Sequence, residues 1–75
     1  MANDFTVVLR GYDRGEVDRA IAQAEQALDS GSEFSRAAAR DTLAAATFMV
    51  RLRGYDRAQV EAHVNRLRQA LSQAP

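Results

Sequence analysis

One histidine, His63, and ten carboxylates are the side chains in this 75-residue sequence that could do acid–base chemistry near neutral pH. A catalytic reading of them finds little to work with. His63 falls near the apolar edge of a helical stretch, beside Val60, Val64 and Leu67, where a partly buried structural histidine or an ordinary surface one is expected rather than a general base. Glu16 and Asp18 are two positions apart on a helix and do not face each other, so they are not a carboxylate pair. The sequence has no cysteine, which removes thiol nucleophiles, disulfides and thiolate metal sites. A zinc site would have to complete its ligands from carboxylates, and neither that spacing nor a glycine-rich phosphate loop is present. No enzymatic activity, cofactor or metal is expected.

The more distinctive chemistry is a set of tyrosines, acids and arginines that occurs twice. Arg-Gly-Tyr-Asp stands at residues 10–13 and again at 53–56, followed in each case by a Val-acid pair, Val17-Asp18 and Val60-Glu61. Arg10, Arg51, Arg53 and Arg57 surround the two motifs. They could form one basic patch that contacts an anionic surface or partner, or they could be solvated charges that keep strand edges from aggregating.

These residues belong to an internal repeat. Residues 5–28 align without a gap on residues 48–71 at an offset of 43, with 12 of 24 positions identical, far more than chance produces. In each copy an alternating segment comes first: Phe5, Val7 and Leu9 against Thr6, Val8 and Arg10, then Phe48, Val50 and Leu52 against Met49, Arg51 and Arg53. That period predicts a short half-buried strand with Leu9 and Leu52 on its core face. After Gly-Tyr-Asp the period becomes helical, with Val17, Ala20, Ile21, Ala24 and Leu28 on one face and Val60, Val64, Leu67 and Leu71 on its counterpart.

Local physics explains the joint between strand and helix. Asp13 is an N-cap with Glu16 three residues on, and Asp56 stands likewise to Gln59, which predicts a capping box in each copy. Tyr12 with Val17, and Tyr55 with Val60, occupy the two ends of a hydrophobic staple. Gly11 and Gly54 supply either a positive φ or a close approach where the strand turns. Between the copies, Asp29-Ser30-Gly31-Ser32 ends one helix and Ser32 caps another, from Glu33 to about Ala46, with Phe34 as its main apolar anchor. Arg36, Arg40 and Asp41 interrupt its stripe. The expected fold is α+β and mostly helical, in the order β-α-α-β-α. It is a single small domain over 1–75, with repeat units 5–30 and 48–73 joined by a helical linker, 31–47.

Two related units suggest an approximate two-fold axis, short antiparallel strands and, because a two-stranded ribbon is marginal with open edges, a homodimer, with or without exchange of strands or helices. A chain this short buries only about 60% of its unfolded surface, which also favours oligomerisation. No apolar run reaches membrane-span length and the N-terminus does not read as a signal peptide, so a cytoplasmic chain is expected. Formal net charge is zero, which argues against a general nucleic-acid or anionic-surface binder. The zero conceals −3 over residues 1–37 and +3 over residues 38–75, which would suit either solvated helix faces or head-to-tail assembly.

The pattern Phe-x-x-x-Leu-Arg-Gly-Tyr-Asp-x-x-x-Val-Asp, at Phe5 to Asp18 and again from Phe48 with Glu61 as the last acid, resembles the N-terminal domain of the DivIVA family and its GpsB relatives, bacterial scaffolds of division sites and growing poles. The resemblance implies a non-enzymatic, self-associating module that recruits others to membrane. It implies lipid contact at the pair before each glycine, Leu9-Arg10 and Leu52-Arg53, with Leu where the family carries an aromatic. It also implies a role for Tyr12 with Asp18, and Tyr55 with Glu61, in holding an arginine-containing peptide of a cell-wall synthase. A further acid expected one turn on is Ala22 in the first copy and Asn65 in the second. The chain carries the motif twice, where the family has it once before a long coiled coil.

The function expected is therefore an interaction or assembly module for cell division or polar growth, acting through a protein partner or at the inner membrane face. The alternative is a small dimeric DNA-binding regulator using its ribbon in the major groove, with Met49, Arg51 and Arg53 outward. Zero net charge weighs against that alternative.

Overall fold

The computed structural model describes residues 4–73; residues 1–3, on which the reading of the N-terminus rests in part, and 74–75 lie outside the described residues. The elements are β1 (Val7–Tyr12), α1 (Arg14–Ser30), α2 (Glu33–Ala45), β2 (Val50–Tyr55) and α3 (Arg57–Ser72), which is the expected β-α-α-β-α order of a small, mostly helical α+β fold. Helix α1 starts where the Asp13 carboxylate accepts from the Glu16 amide, 2.9 Å, and stops at Gly31, whose φ of 73° places it in the left-handed region suited to a helix terminus. Ser32 then caps α2 through the Ser35 amide, and Asp56 caps α3 through the Gln59 amide.

The strands begin two residues later than the alternation suggests and run through Gly-Tyr to the cap. Pairing descends from Val7 opposite Tyr55, through Leu9 opposite Arg53, to Tyr12 opposite Val50. The Asp56 amide donates to the Thr6 carbonyl at one end and the Asp13 amide to the Met49 carbonyl at the other, both 2.8 Å. The ribbon is thus antiparallel. One further link, Tyr12 with Tyr55, departs from this register and has a parallel character. It lies where the two backbones meet at Gly11 and Gly54. A Cβ on Gly11 would overlap the Gly54 carbonyl group, and one on Gly54 would overlap the Tyr12 oxygen. Of the two roles open to these glycines, close approach applies. The left-handed residue of the ribbon is instead Arg10, at φ 60°.

Val17, Ile21 and Ala24 of α1, Leu43 of α2, Tyr55, and Val60, Leu67 and Leu71 of α3 form the core, with Phe5, Tyr12, Phe48 and Val64 packed at its margin. The faces expected for α1 and α3 are the faces buried. Two expectations require correction. Leu9 and Leu52 are 68% and 77% exposed, not core. The two backbones meet closely at Gly11 and Gly54 and the pairing shifts register along the ribbon, so the period-two count that placed Leu9 and Leu52 inside does not describe this crossing ribbon. Phe34 is 84% exposed and does not anchor α2. Leu43 does so, together with Arg36, a buried arginine whose Nη2 has no hydrogen-bond partner among the described residues.

Candidate functional site

The residues singled out by sequence gather around the crossing, but their partners are exchanged between copies. Tyr12 donates to the Glu61 carboxylate at 2.6 Å, and Tyr55 donates to Asp18 at 2.8 Å. The resemblance pairs each tyrosine with the acid of its own copy; the fold pairs it with the acid of the other. The rings cross in the same way, Phe5 against Tyr55 at 5.0 Å and Tyr12 against Phe48 at 5.4 Å. A hydroxyl donating to an ionised carboxylate is a short, charge-assisted bond. For Tyr12 this bond to Glu61 is the main reason its hydroxyl titrates above the usual range, with burial and the Glu61 charge adding and Arg57 opposing.

The capping boxes are exchanged as well. Asp13 and Asp56 cap their own helices, but Glu16 Oε1 accepts from the Met49 amide and Gln59 Oε1 from the Thr6 amide, both 2.8 Å. Each third helical residue therefore ties down the start of the opposite strand rather than closing its own box. Sequence reasoning missed this role for Thr6 and Met49, because an acid or amide at that position is the signature of a box whichever backbone N–H it reaches. Asp13 also takes Arg51 Nε at 2.8 Å. The Glu16 amide and then Arg51 hold its carboxyl below the ordinary aspartate range.

That ion pair draws Arg51 away from any shared basic patch. Arg10 and Arg57 line one shallow groove with Val8, Leu9 and Glu61. Arg53 is exposed and lies opposite Leu9 in the ribbon. Along the ribbon Leu9 and Leu52 near its middle, and Val7 and Val50 towards its two ends, are exposed among exposed arginines, with exposed Met49 just before β2. A second groove, about 360 Å³, runs beside Tyr12 and Glu61 between the end of α2 and α3, with Phe48, Val64, Asn65 and Arg68 in its walls. His63 stands apart from both, its ring edge-on to Phe5 at 5.5 Å and its Nδ1 3.4 Å from Arg66. Among the described residues no helix is long and apolar enough to cross a membrane.

No protein-family model matches the chain, and neither the curated proteins nor the solved structures give a match.

Proposed function

We propose that this chain is a non-enzymatic, DivIVA-like assembly module that docks the exposed stretch of its crossed ribbon on an anionic membrane surface, in bacterial division or polar growth. The observation that carries the reading is the exposure of Leu9 and Leu52, each followed by an exposed arginine, on a ribbon whose neighbouring helices bury their apolar faces. Two leucines in one small exposed region need a reason in a domain with few core residues to spare.

The energetics suit a weak contact made many times. Inserting one leucine is worth roughly 1.5–3 kcal/mol, and each arginine near an anionic surface about 1 kcal/mol. One module is then held loosely, and firm attachment requires several modules in register. On this reading the two copies act as an approximate two-fold pair within one chain. The same offset of 43 that aligns the sequence carries Tyr12–Glu61 into Tyr55–Asp18, and Glu16–Met49 into Gln59–Thr6. Such a pair presents Leu9-Arg10 and Leu52-Arg53 together. The groove at Tyr12 and Glu61 is the place for a protein partner such as a cell-wall synthesis peptide. Asn65 in place of an acid, and Arg68 in the same wall, weaken its pull on an arginine.

Co-sedimentation with vesicles of phosphatidylcholine containing phosphatidylglycerol, at low and physiological salt, tests the reading. Wild type is expected to bind. Replacing both Leu9 and Leu52 by Ser should weaken binding about tenfold or more at either salt, since two inserted leucines are lost. Arg10→Ala with Arg53→Ala should remove chiefly the salt-sensitive part. Absence of wild-type binding at both salts, or indifference to the leucine changes, overturns the membrane reading.

A further inference from the structure

The exposed Phe34 borders a groove of different character from those at the ribbon. Between Ala20, Ala24 and Ala27 of α1 and Ala38 and Ala39 of α2 runs a groove of about 290 Å³, Phe34 at its edge, with no charged residue in its lining. The grooves beside the ribbon and along α3 all contain arginine. In a chain of which 27% is charged, an uncharged groove beside a fully presented aromatic has the composition of an interface core, where charge is depleted and aromatics are enriched.

We infer that a second copy of this chain occupies this groove, with Phe34 of each copy seated against the alanines of the other. A two-fold contact needs its knob and its hole on one face, so that the same patch serves both partners. Phe34 and the alanine groove meet this condition on a single helix pair. Alanine lining lets the facing helices approach closely, and two antiparallel helix pairs laid together make a four-helix arrangement. Helix α2, with 13 residues, is about 20 Å long. With helix axes about 8–10 Å apart and each helix about 10–12 Å across, the face spans roughly 360–440 Å² in flat projection, or about 720–880 Å² over two copies, and more once side-chain ridges are counted. The total lies below the ~1,200 Å² at which stable specific interfaces begin, which suits a weak, concentration-dependent dimer. Zero formal net charge leaves the copies without overall repulsion. This inference stands apart from the membrane reading, since it uses neither the ribbon nor its arginines.

Sedimentation equilibrium of the whole chain, over concentrations from about 5 to about 500 μM, tests it at the affinities a small interface gives. Wild type is expected to pass from the monomer mass to twice that mass. Phe34→Asp, at a position open to solvent in the single copy, should raise the dimer dissociation constant at least about tenfold while leaving the helical circular dichroism intact. Ala38→Arg, which puts a large charged side chain in the groove, should do the same and serves as the independent variant. Leu9→Ser with Leu52→Ser should leave dimerisation unchanged. A wild-type chain that stays monomeric throughout overturns the inference. So does a dimer that survives both groove variants, or one that is lost only on changing the leucines.

Discussion

Gly11 and Gly54 show how a single residue type can be fixed by a neighbour rather than by its own torsion. Neither has a positive φ; each lacks a side chain because the other strand's backbone occupies the space. Sequence supplied the two glycines and two possible reasons for them, and only the crossing separates the reasons. Alanine at either position has no flexible side chain to push aside, only peptide groups already engaged across the ribbon. Gly11→Ala and Gly54→Ala are therefore each expected to destabilise by about 3 kcal/mol or more, in the range where strain breaks a small domain. Gly15→Ala is the contrasting case, because its Cβ would meet Asp13 Oδ1 at an ordinary 3.4 Å inside a helix, and the second copy already has Ala58 there. It should stabilise by roughly 0.5–1 kcal/mol. Urea unfolding of the three variants checks the opposite signs; similar stabilities for Gly11→Ala and wild type would show that the strands do not meet there.

At the scale of elements, what sequence predicts well is what is settled within one turn. The caps at Asp13, Ser32 and Asp56, the stop at Gly31 and the buried faces of α1 and α3 all follow from neighbours three or four residues away. What it predicts poorly depends on where the chain goes afterwards. The strand period put Leu9 and Leu52 inside because it assumes a ribbon lying flat on a core. Phe34 reads in the sequence as the main apolar anchor of α2, yet it is exposed and Leu43 does the packing. The destinations of Glu16 and Gln59 are the clearest case. Both sit where a capping box places them, and both instead accept from the first residues of the opposite strand. Removing either leaves an exposed strand amide that water can partly satisfy, so Glu16→Ala and Gln59→Ala should each cost about 1 kcal/mol. Glu16→Gln should retain most of that stability, since the amide does the same task in the other copy. Hydrogen exchange at the Met49 amide for Glu16→Ala, and at the Thr6 amide for Gln59→Ala, should accelerate selectively; uniform acceleration over the helices would mean that the residues act as ordinary caps.

For the whole molecule, the repeat was legible in the sequence from 12 identities in 24 positions, but its consequence was not. Pattern reasoning treats each copy as a self-sufficient capped strand–helix unit. In the fold, the strand start, the ring and the tyrosine hydroxyl of each copy find their partners in the other. No local rule contains that information, because a bond within a copy and a bond across copies use the same residue types. The core has the same character, with Val17, Ile21 and Ala24 from one copy closed by Tyr55, Val60 and Leu67 from the other. Half of the chain then retains its helix propensity but loses the contacts that make a short helix persist, which in proteins come mostly from tertiary packing. Peptides covering residues 1–31 and 32–75 should accordingly be largely unfolded when separate at low micromolar concentration. Mixed in equal amounts they should recover the helical circular dichroism and cooperative melting of the intact chain, with a midpoint that rises with concentration. Tyr55→Ala in the longer peptide should abolish recovery, because it removes both the buried ring and the bond to Asp18. Cooperative folding of either peptide alone as a monomer would show that the copies stand independently and that the exchanged contacts are incidental to the fold.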